Sequence, residues 1–202
     1  MPITLLMMGF GTSLVGLILG RGKFDAGAVQ MTAETLSGYA VGLIAIAALY
    51  VLQRAFYALA DNHTPLIIGV AAVIFHVALN FILMQPWAHV GIALSASTTA
   101  ILTALALTIL LARRLRDLSL RALARYVVRC GLLAAPAAAI AFGLHAWVGL
   151  GDSTLLGRTV GVSFAAFGAV VYIALAFATR TRESELLWQA GREMLGRIFK
   201  TA

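Results

Sequence analysis

Charge is scarce in this chain. Only 11% of its 202 residues are Asp, Glu, Lys or Arg, where soluble domains carry about 25%. With 61% hydrophobic residues and a mean hydropathy of +0.95, too little polar surface is left to face water on all sides, and a soluble globule is excluded. Acidic residues are fewer still: 8, against 15 Lys and Arg, for a net charge of +7. The basic excess is not gathered on a polar module, so a nucleic-acid partner is excluded as well. One cysteine, Cys130, excludes an internal disulfide framework and any multi-thiolate metal centre. There is no His-Glu-x-x-His, no Gly-x-x-x-x-Gly-Lys, no Gly-x-Ser-x-Gly and no paired Cys-x-x-Cys, which leaves enzyme chemistry and a resident cofactor without footing.

What is present is a series of long apolar runs. About 20 helical residues cross the hydrocarbon layer, and six stretches qualify: roughly 3 to 20, 36 to 59, 66 to 85, 90 to 112, 128 to 149 and 159 to 179. The runs are apolar on every face, unlike the alternating strands of a membrane barrel, so the class is all-α and polytopic. The first run lacks the basic segment that opens a signal peptide and reads as a span. Between the runs lie turn and cap residues, including Arg21 to Asp25, Asp61 to Pro65, Gln85-Pro86-Trp87 and Gly149 to Ser153. Pro65 suits a first helical turn with Asp61 or Thr64 as its cap, Pro86 closes the third span, and Pro136 predicts a kink in the fifth.

Eleven of the fifteen basic residues fall either in the connection after the fourth span (Arg113, Arg114, Arg116, Arg121, Arg125, Arg129) or in the tail (Arg180, Arg182, Arg192, Arg197, Lys200). Basic residues flank spans on the cytoplasmic side, so both regions, and with six spans both termini, are expected there. Residues 21 to 34 and 150 to 158 then face outward. The organisation expected is four helices over 1–112, a basic connection over 113–126, two further helices over 127–179 with a groove for a lipid tail, and an amphipathic surface helix in the tail 180–202. The tail-groove reading rests on the aliphatic stretch Leu132 to Phe142 and on Phe164, Phe167 and Phe177.

Small residues four apart, Gly16/Gly20, Gly38/Gly42 and Gly157/Gly161, predict close helix packing. Polar residues inside spans are costly and therefore informative. Arg54 follows the apolar run Val41 to Leu52. It either snorkels to the headgroups or pairs with Asp61, or it faces an anionic substrate in a cavity, with Tyr57 and Asp61 beside it. His76 and Asn80 share a helix face, and Ser95, Thr98 and Thr99 stand on the next span. This group could bind a cation or relay a proton, or serve as interhelical hydrogen bonds; it has no carboxylate.

The order Gly20-Arg21-Gly22-Lys23-Phe24-Asp25, Thr32-Ala33-x-x-Leu36-x-x-Tyr39-Ala40-x-Gly42-Leu43, Arg54-Ala55-Phe56-Tyr57-Ala58 and Asp61-x-x-Thr64-Pro65 resembles the murein lipid II flippase family, MurJ/MviN. Asn80 to Pro86 and His89 to Ser95 continue the pattern, so the resemblance covers about residues 1 to 112 in motifs and the last two spans in position only. It implies a place among the last six of fourteen membrane helices, in the bacterial inner membrane. The implied activity is movement of lipid II, a disaccharide-pentapeptide on undecaprenyl pyrophosphate, between leaflets by alternating access. It also implies, as partners, lipid II, membrane lipids and the N-terminal transporter helices that this sequence lacks. A polysaccharide-lipid or drug exporter of the same superfamily, or a non-transport membrane scaffold, are the alternatives.

Overall fold

The computed structural model describes residues 2–20, 22, 24–115, 120–148 and 154–178. All regular structure among them is helical: α1 (Pro2–Leu19), α2 (Ala26–Ala58), α3 (His63–Arg114), α4 (Leu120–Val148) and α5 (Leu155–Ala178). Each is long and apolar enough to cross a membrane.

At 52 residues, α3 would measure about 78 Å if straight, more than twice the hydrocarbon thickness. It is not straight. Ala88 has φ 43 and ψ −122 inside it, and beyond this residue the chain runs back along itself: Ser95 bonds Asn80, Thr99 reaches His76, and a Cβ on Gly91 would collide with the Leu83 carbonyl oxygen. Pro86 removes a backbone donor just before the reversal, and Gly91 has no side chain to hold the returning limb away. The two limbs, 63–87 and 89–114, are the expected third and fourth spans, joined by a tighter turn than the sequence suggests. Helix geometry passes through Pro86 and breaks two residues later.

Two other boundaries move. α2 starts ten residues before its expected span, because the Asp25 carboxylate accepts from the Ala28 N–H at 2.8 Å and caps it there. Thr32 and Thr35 fit the added turns by donating to the carbonyls of Ala28 and Met31, each at 2.8 Å. The interval 21 to 34 is thus mostly helix rather than loop. α4 likewise begins at Leu120, inside the expected connection, and runs through Pro136 without a backbone break.

α1 organises the rest. Its Val15 packs with Val29 and Ala33 of α2, and a Cβ on Gly11 would touch Ala33. Leu6 and Phe10, on another face, pack with Ala141 and Phe142 of α4 and Phe164, Ala165 and Ala169 of α5. α2 in turn lies against α3, where Phe56, fully buried, meets Leu107 and Leu111. Where hydrophobic attraction between helices is absent, close backbone approach supplies the packing. Gly38 and Gly42 do so: a Cβ on either would stand 2.8 Å from Ala93 Cβ or 2.6 Å from Ser97 Cα. The Ser97 hydroxyl donates to the Gly38 carbonyl at 2.6 Å and accepts from the Gly42 N–H at 3.0 Å.

Candidate functional site

Two groups of polar residues stand out on α2 and α3. At the end of α2, Arg54 is exposed on the side of the helix away from buried Phe56. Among the described residues it makes no ion pair. Of the alternatives open to Arg54, pairing with Asp61 is not the one formed: Asp61 takes Arg114, Nη2 to Oδ2 at 2.7 Å, and accepts from the Thr64 hydroxyl at 2.6 Å and the Thr64 N–H at 3.0 Å. Asp61 therefore caps α3 at its first turn and fastens it to its last. The Thr64 hydroxyl and N–H, more than the nearby Arg114 guanidinium, hold the Asp61 carboxyl below its usual 3.8, against a smaller opposing effect of burial.

Tyr57 stays near Arg54 on α2 and is half exposed. With Gln53, Asn62, Leu66, Gly69 and Val73 it lines an open, largely apolar groove between α2 and the first limb of α3. Arg54, one turn before Tyr57, is exposed beside this groove without lining it, and among the described residues no ion-pair partner reaches it, while Asp61 is committed elsewhere.

The second group is the His76 cluster. Asn80 Nδ2 lies 3.2 Å from His76 Nε2, the single Ser95 hydroxyl proton is within reach of both Asn80 Oδ1 and the Ile92 carbonyl, and Thr99 Oγ1 lies 3.5 Å from His76 Nδ1. Of the five residues expected to converge, Thr98 is exposed and stands apart; the helical period puts Thr99 on the inner face instead. The polar atoms of the cluster satisfy one another and tie the two limbs of α3 together, so its interhelical role is visible in the geometry. Among the described residues no three His, Cys, Asp or Glu side chains are grouped to hold a metal ion.

Some contacts had no signal in the sequence. Arg158, expected in an outer loop, is inside α5, where Nη1 donates to the Gly16 carbonyl at 2.9 Å and lies 3.5 Å from that of Gly20. A cation at the carbonyl end of α1 complements its dipole, and the two glycines leave room for it. His89 lies 3.6 Å from Glu34. The phenylalanines assigned to a lipid-tail groove have different surroundings: Phe164 is packed against the α1–α4 core and Phe167 is exposed, while the Phe177 side chain lies outside the described residues. The amphipathic tail over 182–199 also lies outside them.

A family model described as lipid II flippase MurJ matches residues 1–161. The lipid II flippase MurJ of Burkholderia cenocepacia is 34% identical over 113 residues, which is 56% of this chain and 22% of that protein. The probable lipid II flippase MurJ of a Synechocystis species is 30% identical over 119 residues, 59% of this chain and 22% of that one. Among solved structures, a lipid II flippase MurJ in an inward closed conformation superposes with a TM-score of 0.68 at 16% identity, covering 88% of this chain and 35% of that chain. That likeness speaks to fold alone. The chain spans about a fifth of the length of these curated relatives.

Proposed function

From the premise that the chain belongs to the lipid II flippase MurJ family, we propose that it forms part of a transporter that carries lipid II across the bacterial inner membrane, without making or breaking covalent bonds. The observation that carries this reading to particular residues is Arg54, a cation exposed on an apolar helix with no partner among the described residues. A guanidinium left facing lipid is costly, whereas one facing a wet cavity can meet a pyrophosphate with a fork of donors. Tyr57 adds a hydroxyl one turn away. Asp61 falls out of the substrate set, because its charge is spent on Arg114.

In this reading the uncovered surface of α2 and the first limb of α3 turns toward helices supplied by the rest of the transporter, and the headgroup passes by alternating access of two lobes. The basic-residue distribution supports placing the Asp61–Arg114 end in the cytoplasm and the Ala88 turn outside. The His76 cluster serves as the lock of the α3 hairpin.

The test replaces Arg54 in a complete transporter carrying this sequence. Arg54→Lys keeps charge and loses the fork; Arg54→Ala loses both. Both variants should insert at normal levels while lipid II transport into the outer leaflet falls, further for Ala than for Lys. Full transport by correctly inserted Arg54→Ala removes Arg54 from the mechanism, and full recovery by Lys leaves only snorkelling.

A further inference from the structure

At the opposite end of the bundle from Asp61, two titratable side chains face each other across the α2–α3 seam. Glu34 on α2 uses Oε1 to accept from Gln30 Nε2 at 3.1 Å, which leaves Oε2 directed at His89 Nε2, 3.6 Å away. That nitrogen is buried and has no hydrogen-bond partner, although the imidazole and the carboxylate are each part-exposed at other atoms. The separation is within ion-pair range and just too long for a hydrogen bond. His89 directly follows Ala88, the positive-φ residue on which α3 reverses.

From this geometry we infer that Glu34 and His89 form a proton-operated latch, which fastens the Ala88 turn to α2 when the imidazole is charged and releases it when neutral. A neutral imidazole offers Glu34 an uncharged N–H at most, and that only in the tautomer protonated on Nε2. A protonated one carries a donor on Nε2 and a full charge, and the 3.6 Å gap closes onto the waiting oxygen. Histidine is the side chain that changes charge between about pH 5 and 8, and its exposed edge gives water access for the proton.

The surroundings contain little else that could respond in that range. α1, which packs on this part of α2 through Val15 and Gly11, has no titratable side chain between Pro2 and Leu19. α2 contributes Asp25, already engaged as the helix cap, and Tyr39, which lines the cleft beside His89. α3 has no other titratable group between His76 and Arg113. Carboxylic acids and phenols as classes change charge outside that range, and guanidinium groups keep theirs across it.

Trp87, two residues from His89 and half exposed, reports on the turn. With Trp147 and Trp188 replaced by Phe in the full chain, reconstituted in vesicles, acrylamide quenching of Trp87 is measured at about pH 8 and about pH 5.5. A part-exposed ion pair is a modest force, so quenching should fall about twofold on acidification. Glu34→Gln and His89→Gln should each abolish the response, and His76→Gln should keep it. His89→Arg, a permanent cation, should give the low value at both pH values and lose it again when combined with Glu34→Gln. A flat wild-type profile, a response that survives His89→Gln, or one lost with His76→Gln overturns the latch. No substrate enters the measurement, so the result is independent of the transport reading.

Discussion

Arg114 reaches back 2.7 Å to Asp61, closing α3 into a loop of 52 helical residues whose first turn is tied to its last. Both limbs of the hairpin therefore end on one carboxylate, at the same end of the bundle. This relationship takes Asp61 away from Arg54 and so gives Arg54 its exposed charge.

The acid side of the stability profile should depend on Asp61. Its carboxyl is held below 3.8 in the folded chain, chiefly by Thr64, so the folded state favours the ionised form. That contribution is complete above the ordinary carboxylate range and is lost as pH falls through the lowered folded value. Thermal unfolding in detergent should show Asp61→Asn slightly less stable than wild type at pH 7, with the gap closing as the pH drops below about 3.8. A gap that widens on acidification would reverse the sign and reject this assignment.

Steric fit at the α2–α3 seam makes opposite predictions for two glycines. Ala at position 42 gains roughly 1 kcal/mol of helix propensity, but its Cβ would meet the Ser97 backbone at 2.6 Å, and forcing the helices apart costs about 1–3 kcal/mol. The net effect should be destabilising, and larger for Gly42→Leu. Gly69 has nothing within 4 Å of its position for a Cβ, so Gly69→Ala should stabilise by about 0.5–1 kcal/mol. Ser97→Ala removes the hydroxyl that addresses both Gly38 and Gly42 and should cost about 0.6–2 kcal/mol. Denaturant titration of the four variants checks the order, and a stabilising Gly42→Ala would refute the contact.

Topology follows from the charge distribution. Single cysteines at Ser119 and Ser184 should react with an impermeant thiol reagent only after cells are permeabilised, and one at Ser153 should react from outside. The reverse pattern would invert the bundle and place Glu34 and His89 in the cytoplasm.

These predictions draw unequally on what the sequence shows. Apolar length marks out the membrane helices, since no soluble arrangement could hide runs such as Val41 to Leu52, and the helix class follows from the same runs. Asp25 and the Asp61–Thr64 pair are legible as caps because a helix start needs acceptors for its free N–H groups. What stays hidden is partner choice. Arg54 and Arg114 are both within reach of Asp61 on paper, and only the folding-back of α3 at Ala88 decides for Arg114. Thr98 and Thr99 differ by about 100° around a helix whose rotation a uniformly apolar sequence does not specify. The role of Arg158 is the least legible, because its partners are backbone carbonyls more than 130 residues away, and carbonyls leave no trace in sequence.

That last contact can be tested as a coupling. The guanidinium of Arg158 donates to the Gly16 carbonyl because neither Gly16 nor Gly20 presents a side chain; a Cβ on Gly16 would stand 2.8 Å from Nε. Arg158→Ala removes a charge-assisted bond at the end of α1 and should cost about 1–2 kcal/mol. Lys can reach one carbonyl without the fork and should recover part of this. Gly16→Val should displace the arginine and lose much of the same energy by another route. The double variant should then be less destabilised than the two single changes added together, by about 1 kcal/mol. Strict additivity would mean that Arg158 and Gly16 act separately, and that apolar packing such as that of Phe164, Ala165 and Ala169 on Leu6 and Phe10 holds α5 to α1.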